Sequence, residues 1–183
     1  MTLLQLSTDK WFCLIDVQEI CKEITNVHAV WEELYEVLFG SDILGFAAAN
    51  EFGYLLFTFP WLEPLLKKEE SKILCLQKLT NTILASELFE LKNFFSKNIK
   101  DTCRLEVLTK EVLGYEMDKT MQQSKWNQRP LDPFQKIYAV LDALVLVQIY
   151  KKLSLLLHEK LNNEDYSKII DQGFVRHVAE DVV

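Results

Sequence analysis

Apolar positions along this chain follow two rhythms: short unbroken runs, and longer stretches with helical spacing. Leu3–Ser7 and Trp11–Val17 are short runs separated by the polar turn Thr8-Asp9-Lys10, which predicts a β-hairpin. From Val30 to Phe39 the apolar residues Val30, Trp31, Leu34, Val37 and Leu38 recur at helical spacing, with Gly40 as the stop. Asp42–Ala47 reads as a strand and Glu51–Phe59 as a helix ended by Pro60, joined by the small residues Ala47, Ala48 and Ala49; a strand passing into a helix this way predicts an α/β fold. Ile73–Leu76 reads either as another strand or as the start of a helix running through Leu79. Leu84–Phe95 reads as helix, Ser96–Thr102 as loop, Leu105–Leu113 as helix capped by Gly114, and Tyr115–Arg129 as irregular polar chain. The clearest helix comes next: Asp132 is its N-cap, Pro133 takes the first helical position and Gln135 completes a capping box. It runs at least to Leu153 and at most to Leu161. Residues 1–161 are expected to form the main domain, and 162–183 a C-terminal extension with a further short helix.

The chain has 183 residues, enough for one domain with a sizeable core. Hydrophobic residues make up 49% and charged residues 26%, which fits a globular protein. A formal net charge of -7 argues against a broad electrostatic grip on nucleic acid, yet allows a local basic groove beside acidic metal ligands. Cys13, Cys21, Cys75 and Cys103 are scattered without a CxxC pair and read as reduced core thiols of an intracellular protein, cytoplasmic or nuclear. His28, His158 and His177 form no HxxxH pair. The polar break from Ser7 to Lys10 argues against a signal peptide, and no apolar stretch reaches transmembrane length, so no membrane is expected. Only 5 glycines occur, and none builds a glycine-rich phosphate loop.

Tyr138 and Asp142 change the picture. They sit one helical turn apart in the apolar run from Ile137 to Val147. The i, i+4 spacing puts phenol and carboxylate on one helix face. An aspartate there turns to solvent, finds a buried partner or binds a metal, because burying it alone costs several kcal/mol, roughly. Two readings stand side by side: a core tyrosine with an aspartate on the wet edge, and a carboxylate and hydroxyl holding a metal-bound water.

The wider pattern bears on that choice. Leu113–Lys119, then Ser124–Leu131 with Trp126 and the Arg129-Pro130-Leu131 triplet, then Tyr138–Asp142, resembles the third motif of the DEDDy 3'-5' exonucleases, the ribonuclease D and Werner-type domains, nearest the Nibbler and Mutator-type branch. Leu3–Thr8 and Phe12–Val17 resemble the hairpin that follows the first motif of that family. Ile43–Glu51, followed by Leu55 and Leu56, resembles its second motif, and the likeness covers residues 3 to 155. It implies a ribonuclease H-like (DnaQ-like) α/β fold. It also implies removal of 3'-terminal nucleotides from a single-stranded RNA or DNA 3' end, RNA before DNA, by two divalent metals, Mg2+ or Mn2+, held by four carboxylates. Carried over by position, Asp142 is a metal ligand, Tyr138 the hydroxyl that orients the attacking water, and Glu51 the metal ligand in the place of the second-motif aspartate. Arg129 and Lys125 are candidates for substrate phosphates, and Asn50, beside Glu51, for nucleic-acid contact.

The chain also departs from that pattern. The Asp-x-Glu of the first motif has no counterpart, Glu51 is one methylene longer than aspartate, and Cys75 stands where many relatives carry an aspartate. The fold is therefore expected to be N-terminally incomplete, with a slot between the hairpin and the Ile43–Ala47 strand. A piece of a longer exonuclease, a degenerate relative that closes its sheet differently, and a strand supplied by another chain each account for this. Hydrolysis is accordingly expected to be weak or absent. The alternative function is an inactive pseudo-exonuclease serving as a protein or RNA interaction module, through a protein partner or homo-oligomer; Trp31, Trp61, Phe94 and Phe95 are its candidate surface aromatics, although most of them are expected to be ordinary core, since large apolar residues are usually inside.

Overall fold

A computed structural model of the chain describes residues 2–23, 29, 31–34, 42–63, 73–96, 99 and 103–175. The opening hairpin forms as the two apolar runs require. β1 (Leu4–Ser7) pairs antiparallel with β2 (Phe12–Ile15), setting Leu4 opposite Ile15 and Ser7 opposite Phe12. The Thr8 side chain closes the turn by accepting from the backbone N–H groups of Lys10 and Trp11 at 3.1 and 3.2 Å. Helix α1 (Val17–Glu23) follows. Residues 31–34 are helical, and Trp31 is buried; the remainder of the predicted Val30–Phe39 helix, with its Gly40 stop, lies outside the described residues.

β3 (Ile43–Gly45) leads into α2 (Ala48–Thr58), so this helix starts three residues before the expected Glu51. The early start is made by Ala47, whose backbone takes the left-handed conformation at φ 51° and turns the chain sharply out of the strand. Ile73–Leu76 resolves into both of its readings: β4 (Ile73–Cys75), then α3 (Leu76–Ala85). β3 and β4 are parallel, with α2 in the crossover between them. The predicted Leu84–Phe95 helix does not form. α3 ends at Ala85 because Ser86 turns extended, and only a 3-10 turn at Phe89–Leu91 follows, with Asn93 at φ 61°. Extended backbone at Ser86 and Leu88 and the left-handed Asn93 interrupt the segment, while Leu91 and Phe95 are still buried in the core.

α4 (Leu105–Leu113) ends at Gly114, which takes φ 81° as a C-cap glycine should. α5 (Pro133–Lys160) begins with the predicted capping box: the Asp132 carboxylate accepts from the Phe134 N–H at 2.8 Å, and the Gln135 side chain accepts from the Asp132 N–H at 2.9 Å. Its inner stripe is Gln135, Ala139, Val145, Ile149, Leu153 and Leu157, at helical spacing. α5 packs against β1, β2, β3 and α4, and so runs the length of the molecule as its spine.

Residues 162–175 are woven into the same core. α6 (Asn163–Gly173) packs on α3, and β5 (Phe174–Val175) adds to the sheet antiparallel to β4, giving the order β3-β4-β5. The approach is so close that a Cβ on Gly173 would meet Leu74 Cδ1 at 2.7 Å. β1 and β2 form a separate two-stranded sheet. One buried cluster centres on Leu76, Leu79, Leu108, Ile149, Leu153 and Leu157; a second, on Val17, Trp31, Leu55, Phe59 and Ile73. All four cysteines are free, but only Cys75 and Cys103 are the expected core thiols; Cys13, on β2, and Cys21, on α1, are exposed. No helix among the described residues is long and apolar enough to cross a membrane.

Candidate active site

Asp142 occupies a gap in the inner stripe of α5. It lies three residues after buried Ala139 and three before buried Val145, so the helix aims it inward rather than at the solvent edge. Its side chain is only 28% exposed. What it meets there is Lys119, from the irregular segment between α4 and α5. The ammonium lies 3.3 Å from Asp142 Oδ1 and 3.3 Å from the Tyr138 hydroxyl. Its position above the Tyr138 ring adds a cation–π contact at 5.6 Å. Trp126 packs against Tyr138 with the ring centroids 6.0 Å apart and tilted, its indole N–H donating to the Gln122 carbonyl. The tryptophan therefore braces the tyrosine, and the site has three bonded members: Tyr138, Asp142 and Lys119.

Glu51 joins them across a cavity of about 580 Å³ whose wall includes Glu51, Lys119, Gln122 and Asp142. The first turn of α2 carries Glu51 to this wall. Glu51 as a whole residue is exposed, yet the cavity wall desolvates its carboxyl enough to push it above its ordinary range, and the negative charge of Asp142 pushes it further the same way. Burial likewise raises the Tyr138 phenol, reinforced by Asp142. Burial pulls the Lys119 ammonium down, but Asp142 and Tyr138 outweigh it, and the net shift is upward. All three displacements involve Asp142, which makes that carboxylate the electrostatic centre of the group.

The same cavity is lined by consecutive residues of two strands, Leu3 to Leu6 and Ile43 to Ala47. Successive side chains on a strand point to opposite faces. A wall made of consecutive residues therefore lies along the strand edges. Among the described residues β1 pairs only with β2 and β3 only with β4, so the cavity runs between two strand edges, where the motif pattern places a further strand.

The other expected residues lie elsewhere. Arg129 is engaged by Asp16: its Nε and Nη2 donate to the two carboxylate oxygens at 2.5 and 2.6 Å, and Nη1 and Nη2 also reach the carbonyls of Trp126, Gln128 and Thr2. This fork ties the hairpin side of the molecule to the loop before α5. Lys125 is exposed on that loop, and Asn50 is exposed on α2; neither lines the cavity. Lys119 was missed as a site residue, although it closes the first segment of the third-motif pattern. The four aromatics follow the core reading: Trp31 and Phe95 are buried, and Trp61 and Phe94 pack partly buried against the two clusters, because their apolar area is held by the core.

Oxygen donors suit a hard divalent cation. The donors gathered here are two carboxylates and a phenol, and an ammonium already sits on Asp142. Among the described residues no group of three His, Cys, Asp or Glu side chains is placed to hold a metal. These residues do not fit a pair of metal ions.

A family model described as 3'-5' exonuclease matches residues 2–158. Exonuclease mut-7 of Caenorhabditis elegans is 30% identical over 187 aligned residues, covering 99% of this chain and 20% of that protein. The human Exonuclease mut-7 homolog is 45% identical over 49 residues, covering 27% of this chain and 6% of that protein. The chain thus spans a fifth or less of the length of these curated relatives. The crystal structure of the Aedes aegypti Nibbler EXO domain superimposes with a TM-score of 0.74 at 27% identity, covering 92% of this chain and 77% of that one.

Proposed function

The chain belongs to the 3'-5' exonuclease family, in its Mut-7 and Nibbler type with the ribonuclease H-like fold, and from that premise we propose that it is an exonuclease-type domain that receives the 3' end of single-stranded RNA at the Glu51–Asp142 cavity, with little or no hydrolysis of its own. One observation carries this reading. The two carboxylates that the motif pattern assigns to the reaction, from segments of chain far apart in sequence, converge on one cavity, where the charge of Asp142 helps to raise the Glu51 carboxyl. The family is divalent-metal dependent; here Asp142 and Glu51 are the residues proposed to meet a Mg2+ or Mn2+ ion.

What the chain's own groups do follows from their placement. The Tyr138 hydroxyl accepts from the Lys119 ammonium that also bonds Asp142, and the tilted Trp126 ring packs against the phenol, which fixes the hydroxyl beside Asp142. That suits the orienting of a water against a terminal phosphodiester. Lys119 places positive charge where a phosphate oxygen would arrive. Weak hydrolysis follows from the donor set: a carboxylate pair with one member bonded to an ammonium stabilises less developing charge than a complete acidic constellation.

The test is calorimetric titration of Mn2+ into the chain and into Asp142→Asn, paired with incubation on a 5'-labelled single-stranded RNA. Binding that disappears in Asp142→Asn, with no more than trace trimming by the parent, is expected. Equal binding by both proteins rejects the role of Asp142. Robust metal-dependent trimming that Asp142→Asn abolishes rejects the expectation of weak hydrolysis.

A further inference from the structure

Helix α2 carries two rings that the core leaves out. Tyr54 is 67% and Phe57 87% exposed, although Leu55, between them, is buried. Among the described residues neither ring meets another aromatic ring. Large apolar side chains are usually inside, and two adjacent rings in solvent are more than the scattered exposure that needs no explanation. Their place on the helix ties them to the cavity. Asn50, Tyr54 and Phe57 stand at i, i+4 and i+7 and so share one face of α2. Asn50 is exposed and opens that face in the same first turn as Glu51, which lines the cavity. Tyr54 also follows Glu51 by three residues, which puts their Cβ atoms about 5–6 Å apart. The face therefore begins at the cavity rim and leads roughly 9 Å along the helix to Phe57.

The two walls of the cavity differ in charge. α2 contains no lysine or arginine. The segment between α4 and α5 brings Lys119 to the cavity and exposes Lys125 on the same loop. A single strand crossing the mouth would find cations for its phosphates on the loop and rings for its bases on α2, the pairing that holds single-stranded nucleic acid. Stacking on such rings tolerates any sequence, because every base has a π-face. An apolar peptide would use the rings and leave the lysines without a purpose, so the arrangement favours nucleic acid.

We propose that Tyr54 and Phe57 form a stacking platform for the nucleotides just before the 3' end of a single-stranded RNA, with the Asn50 amide beside them to meet base edges. The proposal rests on the reading of the Glu51–Asp142 cavity as the seat of the 3' end. It adds the path by which the strand reaches that cavity, over the exposed face of α2, and a grip that does not depend on sequence. It also gives the two rings a role in binding that is separate from any step of hydrolysis.

The experiment is fluorescence anisotropy of a 5'-labelled single-stranded RNA of about ten nucleotides, within the span of such sites. It is titrated with the full chain in EDTA, so that neither a metal nor hydrolysis contributes. A second RNA lacks the bases of the two nucleotides before the last. The variants are Tyr54→Ala, Phe57→Ala, the two together, Tyr54→Phe, and Lys119→Met as a probe of the cavity, with circular dichroism confirming each fold. Each alanine variant is expected to bind the intact RNA about five- to a hundredfold more weakly than the parent, the span of one stacked base. Tyr54→Phe, which keeps the ring, is expected to stay near the parent. Removing the bases is expected to weaken binding to the parent and to make no difference to the double alanine variant, a coupling that a merely structural role would not produce. An equal effect of base removal in both proteins overturns the platform. RNA binding that weakens in Lys119→Met but is unchanged in the alanine variants also overturns it, and leaves the cavity reading standing. No RNA binding by the parent removes the cavity reading, and the platform with it.

Discussion

Asp16 and Arg129 show how a single pair can hold distant parts of a chain in register. They are 113 positions apart, and the guanidinium meets the carboxylate with two parallel bonds in a setting where Arg129 is 16% and Asp16 32% exposed. Bidentate geometry of this kind adds direction as well as strength. The Arg129 hydrogen bond holds the Asp16 carboxyl below its ordinary value of 3.8. The folded protein therefore binds that proton less readily than the unfolded chain. The contribution of the pair is complete above pH 3.8 and is lost as pH falls through the lower folded-state value. Asp16→Asn is expected to cost about 1.5–3 kcal/mol at neutral pH, the range for hydrogen bonds to charged groups. In chemical denaturation repeated at decreasing pH, the gap between variant and parent should close below pH 3.8. A gap that stays constant to pH 2 would show that the pair is not what the substitution removes.

At the scale of elements, the junction between β3 and α2 decides where Glu51 stands. Ala47 adopts the left-handed backbone conformation, φ 51° and ψ 45°, which a residue with a Cβ enters at a cost of about 1–2 kcal/mol. That conformation starts α2 at Ala48 and brings Glu51 into the first helical turn, facing the cavity. Ala47→Gly is expected to raise stability by up to about 1 kcal/mol, the relief of the Cβ clash being partly offset by the freedom glycine gains in the unfolded chain. Thermal unfolding of the two proteins under one condition measures it, and a lower melting temperature in the glycine variant would contradict the strain. The capping box of α5 works by the same local logic without strain: Asp132 and Gln135 satisfy backbone groups that the helix start leaves open.

For the whole molecule, the decisive feature is that the last described residues close the sheet. β5 pairs with β4, α6 lies on α3, and Ile169 joins the same buried cluster as Leu74 and Leu79. Ending the chain at Leu161 would uncover that apolar surface and leave one edge of β4 without its strand. Loss of cooperative unfolding, or a melting temperature lowered by many degrees, is expected for residues 1–161 measured by calorimetry against the full chain. An unchanged transition would mean that residues 162–175 are an appendage. The spine helix α5 links this end of the molecule to the other, because its inner stripe supports the core while Asp142, in the same stripe, serves the cavity.

What could be read from the sequence were the features governed by near neighbours: the hairpin, the C-cap at Gly114, the capping box at Asp132, and the i, i+4 pairing of Tyr138 with Asp142. Each depends on residues within about one helical turn or one tight turn of one another, where the chemistry of the side chains decides the backbone. The exonuclease resemblance was legible for a related reason, since its third motif keeps three short segments in a set order. Tertiary structure alone decided the rest. It broke the Leu84–Phe95 helix, where the backbone turns extended at Ser86 and left-handed at Asn93 although Leu91 and Phe95 keep helical spacing. It joined residues 162–175 to the sheet, and tied Arg129 to Asp16. It also placed the Lys119 ammonium on Asp142, 23 positions away in sequence. Long-range partners of this kind are chosen by packing and by the need to neutralise buried charge, and neither is a property of a short stretch of chain.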